Sequence, residues 1–220
     1  MRRPGMGVTH PRAARRAGML VHGALVGLAL WVATAALAAD TPLGDRVIDH
    51  VTTLKGRTTI PSSYAPVGLA WVAQLPTPEI RTAADLAAVA DVENHAVALP
   101  GYVTRILPVP VRLGDRGTTP WELYLHLRVT PPSACEYHDD PRNVVAVVTP
   151  PFQPPQTEWD FDVLAELCRV PTRVRVSGWL LYDPFSRPQV GRSRVSPWSI
   201  HPVTRLEVWD EKDRAWRRLP

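Results

Sequence analysis

Three groups of residues carry side chains and spacings that could do chemistry. Cys135, His138, Asp139 and Asp140 fall within six residues, with His126 not far upstream. A thiol, an imidazole and two carboxylates so close together could hold a metal or move protons. The spacing matches no zinc signature, however, and Asp139-Asp140-Pro141 also reads as an ordinary turn. Tyr124, His126 and Arg128 alternate along one run, and Arg173, Arg175 and Trp179 alternate along another. Mixed aromatic and basic surfaces of this kind hold single-stranded nucleic acid, because rings stack on bases and cations meet phosphate. An oligosaccharide or a peptide could use the same surface, and a solvated strand face with Glu122 offsetting Arg128 is the plain alternative. His201, in WSIHPVT, could be a base, or could fix a strand end through the backbone; Trp198 beside it reads as core or rim packing. A Cys135–His201 nucleophilic pair would need an accessible, low-pKa thiol, which a Cys135–Cys168 disulfide would abolish. The two cysteines are otherwise two small buried hydrophobes. No G-x-S-x-G elbow, phosphate-cradling glycine loop or H-E-x-x-H is present. The residues therefore assign no catalytic group, no metal and no cofactor.

Charge narrows the partner classes. The 220 residues carry 25 basic and 21 acidic side chains, a net of +4. Residues 1–38 hold Arg2, Arg3, Arg12, Arg15 and Arg16 and no acid, so the remainder has 20 basic and 21 acidic side chains and a net of −1. A near-neutral chain does not favour nucleic acid gripped mainly by its phosphates.

The same N-terminal stretch reads as an address. A basic start is followed by GMLVHGALVGLALWVATAALAA, and Ala36-Leu37-Ala38 fits the small-x-small cleavage rule. This is a secretory signal with cleavage before Ala39; the other reading is an uncleaved membrane anchor. Both place the remaining chain outside the cytoplasm, periplasmic or secreted, where a disulfide can persist.

The elements that must position these side chains follow from periodicity. Residues 39–95 read as an irregular, short-helical arm. Val47 and Val51 share one helical face, Leu69 and Trp71 suggest packing, and Thr82 with Asp85 makes a capping box for a helix facing inward through Ala83, Leu86, Ala87 and Ala90. Residues 96–107 read as a first strand bent at Gly101. WELYLHLRV, from Trp121 to Val129, alternates strictly and reads as a second strand with one buried and one wet face. NVVAVVTP is a short apolar third strand. Thr157 with Asp160 reads as the cap of a helix with Phe161, Leu164, Ala165, Leu167 and Cys168 along its buried stripe, ended by Pro171. TRVRVSGWLLY is a fourth strand with Val174, Val176 and Leu180 inward, and a fifth runs from Trp198 to about Trp209. Residues 211–220 read as a polar tail. The 24 prolines fit short strands and stiff connections.

Strand-strand-strand-helix-strand-strand is the order of a mainly β fold, the small five-stranded OB-like Greek-key barrel with one helix between its third and fourth strands, here over residues 96–210. VRVSGWLLYDP followed by WSIHPVTRLEVW also resembles a group of uncharacterised secreted bacterial proteins with an OB-like domain. In that group a V-x-V-x-G-W-L-x-x-D strand precedes a W-x-I-H-P-V-T-x-[IL]-E ending. The resemblance covers about residues 170–209 and implies the fold; it implies no catalytic residue. The expectation for function is an exported, non-catalytic binding module for an oligosaccharide, nucleic acid or protein. The competing expectations are a small metal-dependent hydrolase or nuclease, with His126, His138, Asp139 and Asp140 at its centre, and a membrane-tethered scaffold contacting an envelope protein.

Overall fold

The computed structural model describes residues 42–110 and 121–220. The expectations for residues 1–38 lie outside them. Among the described residues no helix is long and apolar enough to cross a membrane. Leu43–Pro220 make up one structural unit.

The arm is more regular than its proline content suggests. Helix α1 (Leu43–Lys55) buries Val47 and Val51, the two residues whose spacing marks its inner face. A two-residue strand β1 (Ala65–Pro66) and a single-turn helix α2 (Leu69–Ala73) follow. Leu69 is buried, whereas Trp71 stays 42% exposed. Helix α3 (Ala83–Glu93) starts at the Thr82–Asp85 capping box. Its inner face is not the expected one: Ala83 and Ala87 are exposed, and Val89 and Glu93 are buried. Alanines give such a helix no strong apolar face. A specific partner decides instead, because the Glu93 carboxylate accepts from the Tyr182 backbone N–H and pairs with His50 at 2.6 Å.

The rest forms strands β2 (Ala96–Pro110), β3 (Trp121–Arg128), β4 (Val144–Val148), helix α4 (Phe161–Arg169), and strands β5 (Arg173–Tyr182), β6 (Trp198–Asp210) and β7 (Ala215–Arg218). The result is a mixed helix–sheet structure around one seven-stranded sheet, ordered β1-β2-β3-β4-β6-β5, with β7 on β6 and a further pairing of β2 with β5. The sequence implies five strands; β1 and β7 are the additions. β2 bonds β5 through Ala96–Tyr102 and β3 through Tyr102–Pro110, so it changes neighbour near Gly101. There a Cβ would stand 3.0 Å from the Arg128 carbonyl oxygen. β4 and β6 run parallel; the other long strands pair antiparallel.

The core lies where the alternation puts it. Leu123, Leu125 and Leu127 of β3, all of β4, Val174, Val176 and Leu180 of β5, and Ile200 and Leu206 of β6 are buried. Val129 is 69% exposed because β3 ends at Arg128. α4 buries Leu164, Ala165, Leu167 and Cys168 as its stripe requires, but Phe161 is 41% exposed. Its cap is Asp160, which accepts from the Val163 N–H at 2.8 Å. Thr157 is instead spent on the preceding turn, donating to the Phe152 carbonyl and accepting from the Trp159 N–H. Cys135 and Cys168 form a disulfide that ties the β3–β4 connection to α4.

The polar tail is largely exposed, but part of it pairs with β6 as strand β7. Trp216 meets Trp209 edge-on at 5.2 Å, and the Leu219 N–H donates to the Leu206 carbonyl. The arm is fastened by aromatic donors that reach its carbonyls. Trp179 Nε1 donates to Thr59 at 2.9 Å, Trp198 Nε1 to Pro76 at 2.7 Å, and the Tyr182 hydroxyl to Pro78. Each bond satisfies an irregular backbone that has no ladder partner.

Candidate ligand-binding site

The two alternating triplets do not form one surface. Tyr102 of β2 faces both Arg128 and Arg173, so these two meet across it. From that row the triplets diverge: His126 and Tyr124 follow β3 one way, while Arg175 and Trp179 follow β5 the other.

The β3 face is not wet. His126 and Glu122 are buried and Tyr124 is half-buried. The β5–β6 connection lies against His126, through a Ser193 backbone hydrogen bond and the Arg194 charge, and is held there by bonds of its own. The Val195 N–H donates to the Asn143 carbonyl at 2.8 Å, and buried Arg194 donates to the Ser196 and Trp198 carbonyls. Asn143 Nδ2 lies 3.3 Å from His126 Nδ1. Burial first, then the charges of Arg105 and Arg194, lower the His126 pKa to about 4. Burial likewise lowers that of Arg194 to about 10. Arg128 is tied to Asp140 and Glu136, so it offers no free fork to a ligand.

His201 joins this layer. It is 1% exposed, and its Nε2 lies 3.4 Å from Glu122 Oε1 with no closer partner. Tyr124 donates to the other Glu122 oxygen at 3.2 Å, and Lys55 pairs with Asp183 at 2.9 Å nearby. Burial lowers the His201 pKa, outweighing Glu122. Glu122 also lies below its ordinary value: burial pushes it up, but the His201 contact, the Lys55 charge and the Tyr124 bond outweigh burial. Trp198 is core, stacked obliquely on Tyr182 at 5.1 Å.

The Cys135–Asp140 group does not converge. Cys135 is bonded to Cys168, which removes the thiol that a Cys135–His201 pair would need. His138 is exposed. Asp139 is held by Arg105, and Asp140 by Arg128 and Arg142. The hydrogen bonds from Arg142, with those from Arg128, hold the Asp140 carboxyl well below the usual range. Among the described residues no cluster of three His, Cys, Asp or Glu side chains could hold a metal.

Of the β5 triplet, Arg175 borders an open groove of about 600 Å³ over β5 and β6, whereas Arg173 and Trp179 do not line it. The arm from Ile60 to Tyr64 forms one wall, and Tyr64, Arg175, Ser177, Thr204, Glu207 and Arg218 line it. Strand alternation puts Arg175 and Ser177 on this side, opposite buried Val174 and Val176. Glu207 is the hub. Arg175 forks it through two bonds of 2.6 Å, and Arg205 adds a third at 2.7 Å. Burial pushes the Glu207 carboxyl up, but the Arg175 bonds and the charges of Arg175 and Arg205 outweigh it and lower its pKa.

Arginine–tryptophan stacking extends the face. Arg175 lies 4.8 Å over Trp216, Arg173 lies 5.5 Å from both Trp209 and Trp216, and Arg57 lies 5.1 Å over Trp179. The Tyr64 hydroxyl bonds Thr204 Oγ1 at 2.9 Å. Ser177 is 1% exposed, yet its hydroxyl has no hydrogen-bond partner. A buried orphan hydroxyl bordering a groove is a place for a ligand's polar group. The Arg218 side chain is exposed and forms no hydrogen bond or ion pair among the described residues. Sequence reading finds Arg173, Arg175 and Trp179 by alternation. It misses Ser177, Thr204, Glu207 and Arg218: Ser177 shares the period of Arg175 but carries no charge to draw notice, and the others reach the groove only through strand pairing and the covering arm.

No family model, curated protein or solved structure matches this chain.

Proposed function

We propose that this protein is an exported, non-catalytic binding module on an OB-like barrel, and that the groove over β5 and β6 holds an oligosaccharide. The barrel reading rests on the cycle of pairings, in which β2-β3-β4-β6-β5 returns to β2, and on the place of α4 between β4 and β5, the third and fourth of those strands in chain order. The resemblance over residues 170–209 supports the same reading. Fold alone does not establish a ligand; the lining of the groove carries the reading. Hydroxyls of Tyr64, Ser177 and Thr204 stand beside the planar groups of Arg175 and Glu207. Such a set both donates to and accepts from a ligand rich in hydroxyls. A phosphodiester chain would find Trp209 and Trp216 already stacked by arginines rather than open to its bases. The face of β3, the usual choice in OB-folds, is covered here by its own chain.

The test is a titration of the folded chain with oligosaccharides of three to six units, followed by tryptophan fluorescence and by backbone NMR shifts. Saturable shifts at Ser177, Thr204 and Arg218 are the expected result. Shifts confined to the β3–β4 connection, or binding only to single-stranded DNA, would overturn it. Substituting Ser177→Val should weaken binding about fivefold to tenfold, the cost of one lost hydrogen bond.

A further inference from the structure

We infer that the oligosaccharide is acidic: one of its units carries an oxyanion, carboxylate or sulfate, that docks between Arg218 and Arg175. The inference rests on the groove's binding an oligosaccharide and adds the ligand's charge. Three arginines, Arg175, Arg205 and Arg218, line the groove against one carboxylate, Glu207. Arg173 adds a fourth cation beside Trp209 and Trp216 and has no ion pair among the described residues. Glu207 does not cancel this excess. It is buried, and its two oxygens take three bonds from Arg175 and Arg205. Those bonds keep it ionised and leave it no free face towards a ligand.

The remaining donors are unspent. Arg175 commits Nε and Nη2 to Glu207, and Nη1 makes no hydrogen bond among the described residues. Its guanidinium lies on Trp216, which orders the fork without using its donors. Arg218 stands across the strand pair from Glu207 and contributes a whole guanidinium. The Ser177 hydroxyl, two residues along β5 from Arg175, is the buried orphan donor on the same side. The open Arg218 guanidinium, the free Nη1 of Arg175 and a hydroxyl suit an oxyanion flanked by sugar hydroxyls. A neutral sugar would leave the cations unanswered.

The experiment compares three probes of equal length by calorimetry on the full mature chain: tetragalacturonate, a sulfated tetrasaccharide and maltotetraose. The acidic probes should bind about tenfold or more tightly than maltotetraose, the contribution of one charged hydrogen-bonded contact. That margin should shrink as salt rises. Arg218→Gln, a substitution at an exposed side chain, should remove most of the margin by weakening the acidic probes far more than maltotetraose. The carboxylated and sulfated arms distinguish the two sources of the oxyanion. Equal affinity for all three probes would overturn the acidic ligand and leave the groove reading standing. No binding by any probe, with the fold confirmed by circular dichroism, would remove both. A margin that survives Arg218→Gln unchanged would place the anion elsewhere and overturn the assignment.

Discussion

Several ionisable side chains stay buried in one protonation state, and this makes stability depend on pH. His126 is 4% exposed, and its pKa is lowered to about 4 by burial, Arg105 and Arg194. The unfolded chain holds the same imidazole near the ordinary value of about 6.5. Between these values the unfolded state binds more protons, so stability is full above about pH 6.5 and falls as pH drops towards 4. The window corresponds to about 3 kcal/mol. The lowered His201 pKa acts in the same direction. Glu122 and Asp140, both held below their ordinary values, add losses at still lower pH. Melting temperature measured from pH 7 to pH 4 should fall steadily, and His126→Asn should flatten that fall. An unchanged slope in the variant would mean that another group is responsible.

At the level of elements, β5 and β6 share a ladder of eight residue pairs and line the groove. Their approach depends on Gly178, where the register shifts on either side. A Cβ there would stand 2.2 Å from the Pro202 carbonyl oxygen and 2.8 Å from Ile200 Cγ2. The carbonyl belongs to backbone and cannot swing aside. Gly178→Ala should therefore cost about 3 kcal/mol, at the upper end of overpacking penalties. Urea denaturation should show a lower midpoint with an unchanged slope. A midpoint within experimental error of the parent would show that the ladder can open at Pro202.

For the whole molecule, the disulfide and the proposed N-terminal secretory signal make a joint prediction. Cys135 and Cys168 are 33 residues apart, and closing a loop of that length stabilises a chain by about 3–4 kcal/mol in the chain-entropy picture. Such a bond suits an oxidising compartment. The full-length chain produced in a bacterium with its own leader should be recovered from the periplasm, with a mass that starts at Ala39. Thiol titration of the denatured, non-reduced protein should find no free thiols. Two thiols in material that has crossed the membrane would contradict the bridge, and a cytoplasmic chain with intact residues 1–38 would contradict export.

The order of the long strands and the place of α4 were legible in the residues, because they follow from local periodicity. A period of two in β3 and β5 and one helical stripe in α4 set which side chains are apolar neighbours, whatever lies around them. The same local rule found Arg173 and Arg175. It failed at Tyr124 and His126, since alternation separates two faces without saying what covers the second one; the β5–β6 connection, with Arg194 and Val195, decided that. It failed again at residues 211–220, where β7 exists only because β6 presents Trp209 and open backbone to it. The groove is likewise a product of distance in sequence: Tyr64, Ser177, Thr204 and Arg218 share no motif. Strand pairing and the docking of the arm assemble them, so only the folded chain could place them together.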